Sequence, residues 1–597
     1  MTFPSGTSRR NVLAVAAAAA AVPLVASGPA RAQQRPSQPK TWDLTVLGTS
    51  DTHGNVYNWD YYKDAEYDDS AHNDVGLAKV ATLVNRIRAE RRGRATLVLD
   101  AGDTIQGTPL ATYYAKQEPI TETHQKHPMA RAMNVIDYDA VTLGNHEFNY
   151  GLPLLDLWIR QLGFPALAAN AVNEKTGKPA FLPYVIKKVH LGFGAPTLRV
   201  GILGLTNPGV AIWDKGNVEG KLRFEDMIAT ARKYVPIMRA RGADIVLISA
   251  HGGDNGISSY GPELPNENPT ALIAQQVPGI DAILFGHAHN EIPEKFVTNE
   301  QTGAQVLTSE PSKWGQRLTR MDFTLARAGG RWTVTAKHAT MLNTNTVVED
   351  PKVLAAVKAQ HTKTVAYVNQ VVAQSTTELS AAESRYRDTP ILDYINKVQT
   401  DDVTRALAGG QYAALPVLSI AAPFSRTAVF PAGDVKIRDV AGLYIYDNTL
   451  EAVVLSGAEV RAYLEYSAKY FRTLGPGAPV DPAQINDPNI PDYNYDVLSG
   501  VDYDIDISKP VGQRITTLTH AGTDTPVGDG EQFVVAVNNY RRSGGGNFPG
   551  IVKTQVYNEQ KEIRQLLIDW AQAKGRIDPA DFFQQNWRLV REGVPVF

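Results

Sequence analysis

Five short polar motifs carry the side chains of this chain that could do chemistry. They are Asp51-Thr-His53, Gly102-Asp103, Gly144-Asn-His-Glu147, Ala250-His-Gly-Gly-Asp254 and Gly286-His-Ala-His289. They offer three carboxylate or amide groups (Asp51, Asp103, Asn145) and four imidazoles (His53, His251, His287, His289). Seven such donors are too many for one ion and suit two divalent ions, with Asp103 as the natural bridge. Mixed nitrogen and oxygen donors without thiolate favour zinc, manganese or iron over copper(I) or an iron–sulfur cluster. Two such ions about 3.5–4 Å apart form a clamp for in-line displacement at phosphorus. His146 stands beside a candidate ligand and is left over, placed either to protonate a departing oxygen or to hydrogen-bond a phosphoryl oxygen. Glu147 and Asp254 read as supports for ligands or as helix caps.

These motifs need elements that bring them together. Each follows a short apolar run, at 44–47, 96–99, 140–143, 245–248 and 282–285. Runs of this length, bounded by glycine and polar residues, predict strands buried on both faces. Ligands of layered α/β sheets bind just outside the carboxyl ends of the strands, so the five motifs are expected on one rim. Between strands, Leu77, Val80, Val84 and Ile87 keep the spacing of a helix with one apolar face. The fold class is therefore α/β, with a catalytic domain over about 41–345. Residues 65–74, rich in Asp and Tyr, read as a surface loop near the site. Asp350 and Pro351 are an N-cap and a first helical residue, predicting a linker helix over 350–371. A smaller second domain follows at 376–597. It mixes strands (532–537) with helices (458–470 and 559–574), an α+β pattern.

Composition agrees with an exported enzyme. A chain of 597 residues exceeds what one core usually supports. Its net charge of −3 gives no basic stripe for a nucleic-acid partner, whereas a mononucleotide needs only a local site. The chain has no cysteine, so neither a disulfide framework nor a lipoprotein anchor is available. Ser8-Arg9-Arg10-Asn-Val-Leu13, an alanine-rich run and Ala30-Arg-Ala32 make residues 1–32 a twin-arginine export signal, cut before Gln33. The run is shorter than the ~20 residues a membrane span needs. A periplasmic or secreted monomer without a membrane anchor is expected.

Longer segments carry a family resemblance. They include Asp60-Tyr-Tyr-Lys-Asp64, Gly144-Asn-His-Glu-Phe-Asn-Tyr-Gly-Leu152 and Pro278-Gly-Ile-Asp-Ala-Ile-Leu-Phe-Gly-His-Ala-His289. Further on are Leu443-Tyr-Ile-Tyr-Asp-Asn448, Tyr493-Asn-Tyr-Asp-Val497 and Asn538-Asn-Tyr-Arg541. Across nearly the whole mature chain the sequence resembles the calcineurin-like metallophosphoesterases of the 5′-nucleotidase family. Within that family it is most similar to the periplasmic 2′,3′-cyclic-nucleotide 2′-phosphodiesterase/3′-nucleotidase branch. The resemblance implies a layered β-sandwich flanked by helices, followed by a nucleotide-binding C-terminal domain. It implies one ion on Asp51, His53, Asp103 and His289, and a second on Asp103, Asn145, His251 and His287. It implies that Tyr446 and Tyr540 sandwich the base and that Asn448 touches the base edge. Typical 5′-nucleotidases place an aspartate after the Gly-Asn-His-Glu motif to orient the catalytic histidine; here Asn149 stands there. An amide accepts an imidazole hydrogen bond but brings no charge, and the cyclic-phosphodiesterase branch resembles this chain at that position. Gly544-Gly-Gly546 reads as a close backbone approach or a turn, and Arg541 and Arg542 as solvated. The competing activities are 5′-nucleotidase or nucleotide-sugar hydrolase, dimetal hydrolysis of sulfur compounds, and nucleotide binding without turnover.

Overall fold

The computed structural model describes residues 40–91, 95–446 and 448–597. The twin-arginine segment and its cleavage site lie outside the described residues.

The apolar runs form strands because both faces of each are covered. Along Ile245–His251, Ile245 and Leu247 enter a core between two sheets. Val246, Ile248 and Ala250 face the other way, under helices Met227–Ala240 and Thr270–Gln276. Strand Thr96–Asp100 splits likewise, with Leu97 and Leu99 between the sheets and Val98 beneath helix Leu77–Arg91. The period of two thus persists where polarity does not alternate. The result is the expected sandwich of two six-stranded sheets flanked by helices.

The five motif-bearing strands are divided between the two sheets. Thr41–Thr49, Thr96–Asp100 and Ala140–Thr142 run parallel in the first sheet, Ile245–His251 and Ala282–Gly286 in the second. The sheets are fastened where the motifs begin. Thr142 Oγ1 donates to Ser249 O at 3.1 Å, and Ser249 Oγ to Asp100 O at 3.1 Å. A side chain at Gly48 would collide with Leu284 of the opposite sheet, so glycine sets how closely the layers approach.

The region expected to be a loop begins with a short hairpin, Trp59–Asp60 paired with Ala65–Glu66. Its Tyr67 ring meets Trp314, whose N–H donates to Asp51 O at 2.7 Å. Helix Pro351–Val368 is capped by Asp350, which accepts from Lys352 N and Val353 N. It stops short of the expected end because Val371 opens strand Val371–Ser375, paired with Gly433–Lys436 and Arg576–Ile577. Beyond it a five-stranded sheet, including Val417–Ala421, Thr449–Ser456 and Gln532–Asn538, packs with helices Pro390–Leu407 and Ile563–Lys574 around a separate core. The helix expected from 559 starts at Ile563 instead. Residues Tyr557–Glu562 extend the sheet by pairing with Thr449–Ser456. Among the described residues no helix is long and apolar enough to cross a membrane.

Candidate metal centre

Three of the five motifs leave their strands through a backbone conformation that side chains seldom adopt. Asp51, His53, Asp103, His287 and His289 all have positive φ, from 46° to 84°. Such geometry costs roughly 1–3 kcal/mol per non-glycine residue and persists where the surroundings over-determine it. Here they do. Glu147 is fully buried and accepts from the backbone N–H of Gly144 (2.6 Å), Asp103 (2.8 Å), Thr104 (2.5 Å) and Ile105 (3.2 Å). It clasps two ligand-bearing loops to each other. Any side chain at Gly144 would strike Asp103, and any at Gly286 would strike Ser50 and Asp51. Asp254 lies apart from this work, paired with Lys295 at 2.6 Å.

Hydrogen bonds then fix which imidazole nitrogen faces inward. His53 Nδ1 lies 3.0 Å from Gln106 O, and His251 Nδ1 lies 2.9 Å from Ala101 O. A carbonyl only accepts, so both rings carry a proton on Nδ1 and turn Nε2 to the site. His287 is reversed: its Nε2 lies 2.8 Å from Glu267 Oε1, leaving Nδ1 inward.

The inward atoms form two groups. Those of Asp51, His53 and His289 lie within 4.8 Å of one another, as do those of Asp103, His251 and His287. His289 Nε2 is 3.3 Å from Asp51 Oδ1, and His251 Nε2 is 3.0 Å from Asp103 Oδ2. Asp103 joins the groups, since its Oδ2 is also 3.8 Å from His53 Nε2. Asn145 Oδ1 is buried without a hydrogen-bond partner. Such an orphaned acceptor is costly unless something positive meets it. The donor set of nitrogen and oxygen in two adjoining groups therefore fits two divalent cations.

Electrostatics point the same way. Burial opposes ionisation of Asp51, but His289 and His251 outweigh it and hold the carboxyl well below its usual range. Burial pulls His53 down to about 3. Burial works against charge on His251 too, yet Asp103, Asp51 and the Ala101 carbonyl push it up to about 10. Two buried carboxylates here demand positive charge beside them.

His146 Nε2 is 3.9 Å from Asp103 Oδ2, and its Nδ1 is 2.6 Å from Asn149 Oδ1. Asn149 Nδ2 in turn donates to Asp214 Oδ1 at 2.9 Å. Burial disfavours the charged imidazole, but Asp103, Asn149 and Asp214 outweigh it and raise His146.

The aromatic residues cluster in the C-terminal half. Tyr446 lies edge-on to Phe424 at 5.3 Å and to Tyr493 at 6.2 Å. Burial raises the Tyr540 hydroxyl, with Arg541 opposing and Tyr493, Glu267 and Tyr446 adding, so these groups share one neighbourhood. Gly545 lies against the Tyr540 ring, where any side chain would collide with it. Asn448 donates to Tyr444 Oη at 3.3 Å. Arg541 is not solvated as expected. It is buried and paired with Asp496 at 2.8 Å, with further bonds to Tyr493 O and Gly545 O. Arg542 pairs with Glu451. This segment also meets the catalytic half: Asn539 Nδ2 donates to Trp213 O at 3.3 Å, and the Trp213 ring stacks on His287 at 5.6 Å.

Sequence reasoning missed Asp214, Glu267 and Trp213. Asp214 and Glu267 follow no apolar strand and belong to no short motif, so only contact with Asn149 and His287 reveals them.

Comparison with known proteins agrees with this geometry. Residues 44–291 match the calcineurin-like phosphoesterase family, and residues 371–553 match the 5′-nucleotidase C-terminal domain. The chain is 35% identical to the 2′,3′-cyclic-nucleotide 2′-phosphodiesterase/3′-nucleotidase of Salmonella typhimurium, covering 92% of this chain and 89% of that one. It is 34% identical to the trifunctional nucleotide phosphoesterase YfkN of Bacillus subtilis over 92% of this chain, but spans only 39% of that protein's length. The fold of the Thermus thermophilus 5′-nucleotidase precursor superposes with a TM-score of 0.62 at 22% identity, covering 92% of this chain and 99% of that one. The chain belongs to the calcineurin-like phosphoesterases that carry a 5′-nucleotidase C-terminal domain, and it is a hydrolase of that family.

Proposed function

We propose that this enzyme hydrolyses 2′,3′-cyclic nucleotides to 3′-nucleotides and then releases phosphate from the 3′-nucleotide. The carrying observation is the pair of donor groups joined at Asp103, with His146 Nε2 only 3.9 Å from the same carboxylate. Asp51, His53, Asp103 and His289 would hold one ion, and Asp103, Asn145, His251 and His287 the other; zinc, manganese and iron suit these donors. When bound, such ions supply positive charge that polarises phosphoryl oxygens and acidifies water.

The chain's own residues do the rest. Tyr446 and Tyr540 offer ring faces that accept any nucleobase, with Asn448 at the same pocket. Water attacks phosphorus in line and gives up a proton to solvent, the bond to the ribose 2′-oxygen breaks, and His146, once protonated on Nε2 as well as Nδ1, gives that oxygen the Nε2 proton. The 3′-nucleotide that remains is attacked again, and breaking its bond to the 3′-oxygen frees nucleoside and phosphate. One pocket serves both steps because the phosphorus hardly moves relative to the base.

Products from 2′,3′-cAMP, 3′-AMP and 5′-AMP, measured side by side on metal-loaded enzyme, test the reading. Turnover of the first two should dominate. Preference for 5′-AMP would make the enzyme a 5′-nucleotidase, and inertness toward all three would leave sulfur-compound hydrolysis or simple binding. We also assign its place of work to the periplasm, as a monomer exported by the twin-arginine route. Arg9→Lys combined with Arg10→Lys should then retain the activity in the cytoplasm, and unchanged export would refute that route.

A further inference from the structure

Where typical 5′-nucleotidases carry an aspartate beside the active-site histidine this chain has Asn149, yet a carboxylate stands one residue further out. Asp214 is only 5% exposed and accepts the Asn149 Nδ2–H at 2.9 Å, while Asn149 Oδ1 faces His146 Nδ1 at 2.6 Å. The order of these contacts is forced. A carboxylate only accepts, so the amide must turn its NH₂ to Asp214 and its oxygen to His146. That oxygen also only accepts, so His146 must carry a proton on Nδ1, leaving Nε2 toward Asp103 and the site.

The loop bearing Asp214 is built onto the histidine's own turn. Asn217 Nδ2 donates to Phe148 O and to Asn149 O, each at 3.0 Å, and Asn217 N donates to Asp214 O at 2.8 Å. The preceding residue, Trp213, offers its carbonyl to Asn539 of the C-terminal half at 3.3 Å. Asp214 therefore sits where the histidine turn and the base-binding half meet.

We propose that Asp214 is a positioning residue that acts through the Asn149 amide to fix the orientation and tautomer of His146. The proposal rests on the reading above of His146 as the group beside the departing oxygen. It predicts that the two side chains can exchange places. Asp214→Asn leaves the amide of Asn149 free to turn either way, whereas adding Asn149→Asp puts a carboxylate directly on His146 Nδ1 with an amide behind it.

On metal-loaded enzyme, Asp214→Asn should lower kcat for 2′,3′-cAMP by about 10- to 100-fold, the scale seen when metal-bound histidines lose their outer partners. KM, metal content and melting temperature should stay near wild type. The exchanged variant, Asp214→Asn with Asn149→Asp, should recover most of that loss. An exchanged variant no faster than Asp214→Asn, or a kcat loss that merely tracks lost metal or a lowered melting temperature, would overturn the proposal. Imidazole ¹⁵N spectra of holoenzyme labelled at histidine provide the second measurement. They should show His146 protonated at Nδ1 in wild type and in the exchanged variant, and a mixture of tautomers in Asp214→Asn. An unchanged tautomer in Asp214→Asn would refute the positioning role even if neither cyclic nor 3′-nucleotides prove to be substrates, so the two failures remain distinct.

Discussion

The metal-binding rim and the aromatic pocket solve different problems with different means. On the rim, His53 and His251 are tied to backbone carbonyls, His287 is held by Glu267, and five of the seven donors sit at positive φ. Ions and phosphate interact by charge, which falls off with distance and needs donor atoms at fixed points. In the aromatic pocket the rings lie on turns, and one buried ion pair, Arg541 with Asp496, ties the Tyr540 turn to the segment carrying Tyr493. Stacking needs only an open face, so small shifts of a ring cost little. Positive-φ strain is therefore concentrated on the rim, where charge must be placed.

The largest expected effects fall on the rim. Asp103→Ala removes the carboxylate shared by both groups and should cut turnover on the order of 10³-fold or more, since several kcal/mol of transition-state stabilisation go with it. Metal content should fall in the same preparation, and chelation of wild type should mimic it reversibly. Full metal occupancy with lost activity would break the comparison, because Asp103 would then not organise the ions.

Next comes the anchor of the pocket. Arg541→Met leaves Asp496 buried without its partner and should destabilise the C-terminal half by about 3–5 kcal/mol. Calorimetry of the variant should show that half melting early, while metal binding by the rim persists. Simultaneous loss of both would mean that the two regions do not stabilise separately.

The same contrast explains what could be read from the sequence. Charge chemistry restricts residue types, so Asp, His and Asn after strand-like runs announced the rim, and apolar runs announced the sandwich. The division between two sheets was hidden because a run buried on both faces carries no mark of which sheet it joins. Glu147 was visible as a support, but its clasp of the loops is a contact between distant segments. Asp214 and Glu267 were invisible for the same reason. In the pocket, 25 tyrosines compete for attention, and only the segments around Tyr446 and Tyr540 singled those two out. Arg541 was misread because burial of an arginine depends on an aspartate 45 residues away.

A smaller effect should come from the rings themselves. Tyr446→Ala should raise KM by about 1–3 kcal/mol, roughly five- to 150-fold, with kcat little changed, because stacking binds substrate and transition state alike. A loss confined to kcat would place Tyr446 in positioning rather than affinity and so narrow the difference between the regions.

The last effect is a pH dependence in the C-terminal half. In the C-terminal half, Asp388 accepts from Asn586 N at 2.8 Å and Asp393 from Gln584 N at 3.4 Å. Burial raises Asp388 to about 6, and burial together with Asp388 raises Asp393 to about 8. A carboxyl whose folded value lies above its unfolded one favours folding fully at low pH and loses that contribution as pH rises. Stability of this half should therefore decline between about pH 4 and pH 8. Around the rim both signs occur: burial raises Asp100 to about 7 and Glu310 to about 9, as it raises the C-terminal pair. Asp51 is held low by histidines, so its contribution is present above the ordinary carboxylate range and is lost only on strong acidification. Melting temperatures across this pH range should fall with rising pH for the C-terminal transition in wild type, and much less in Asp393→Asn, which cannot ionise. A transition insensitive to pH, or equally sensitive in the variant, would show that the pair is solvated.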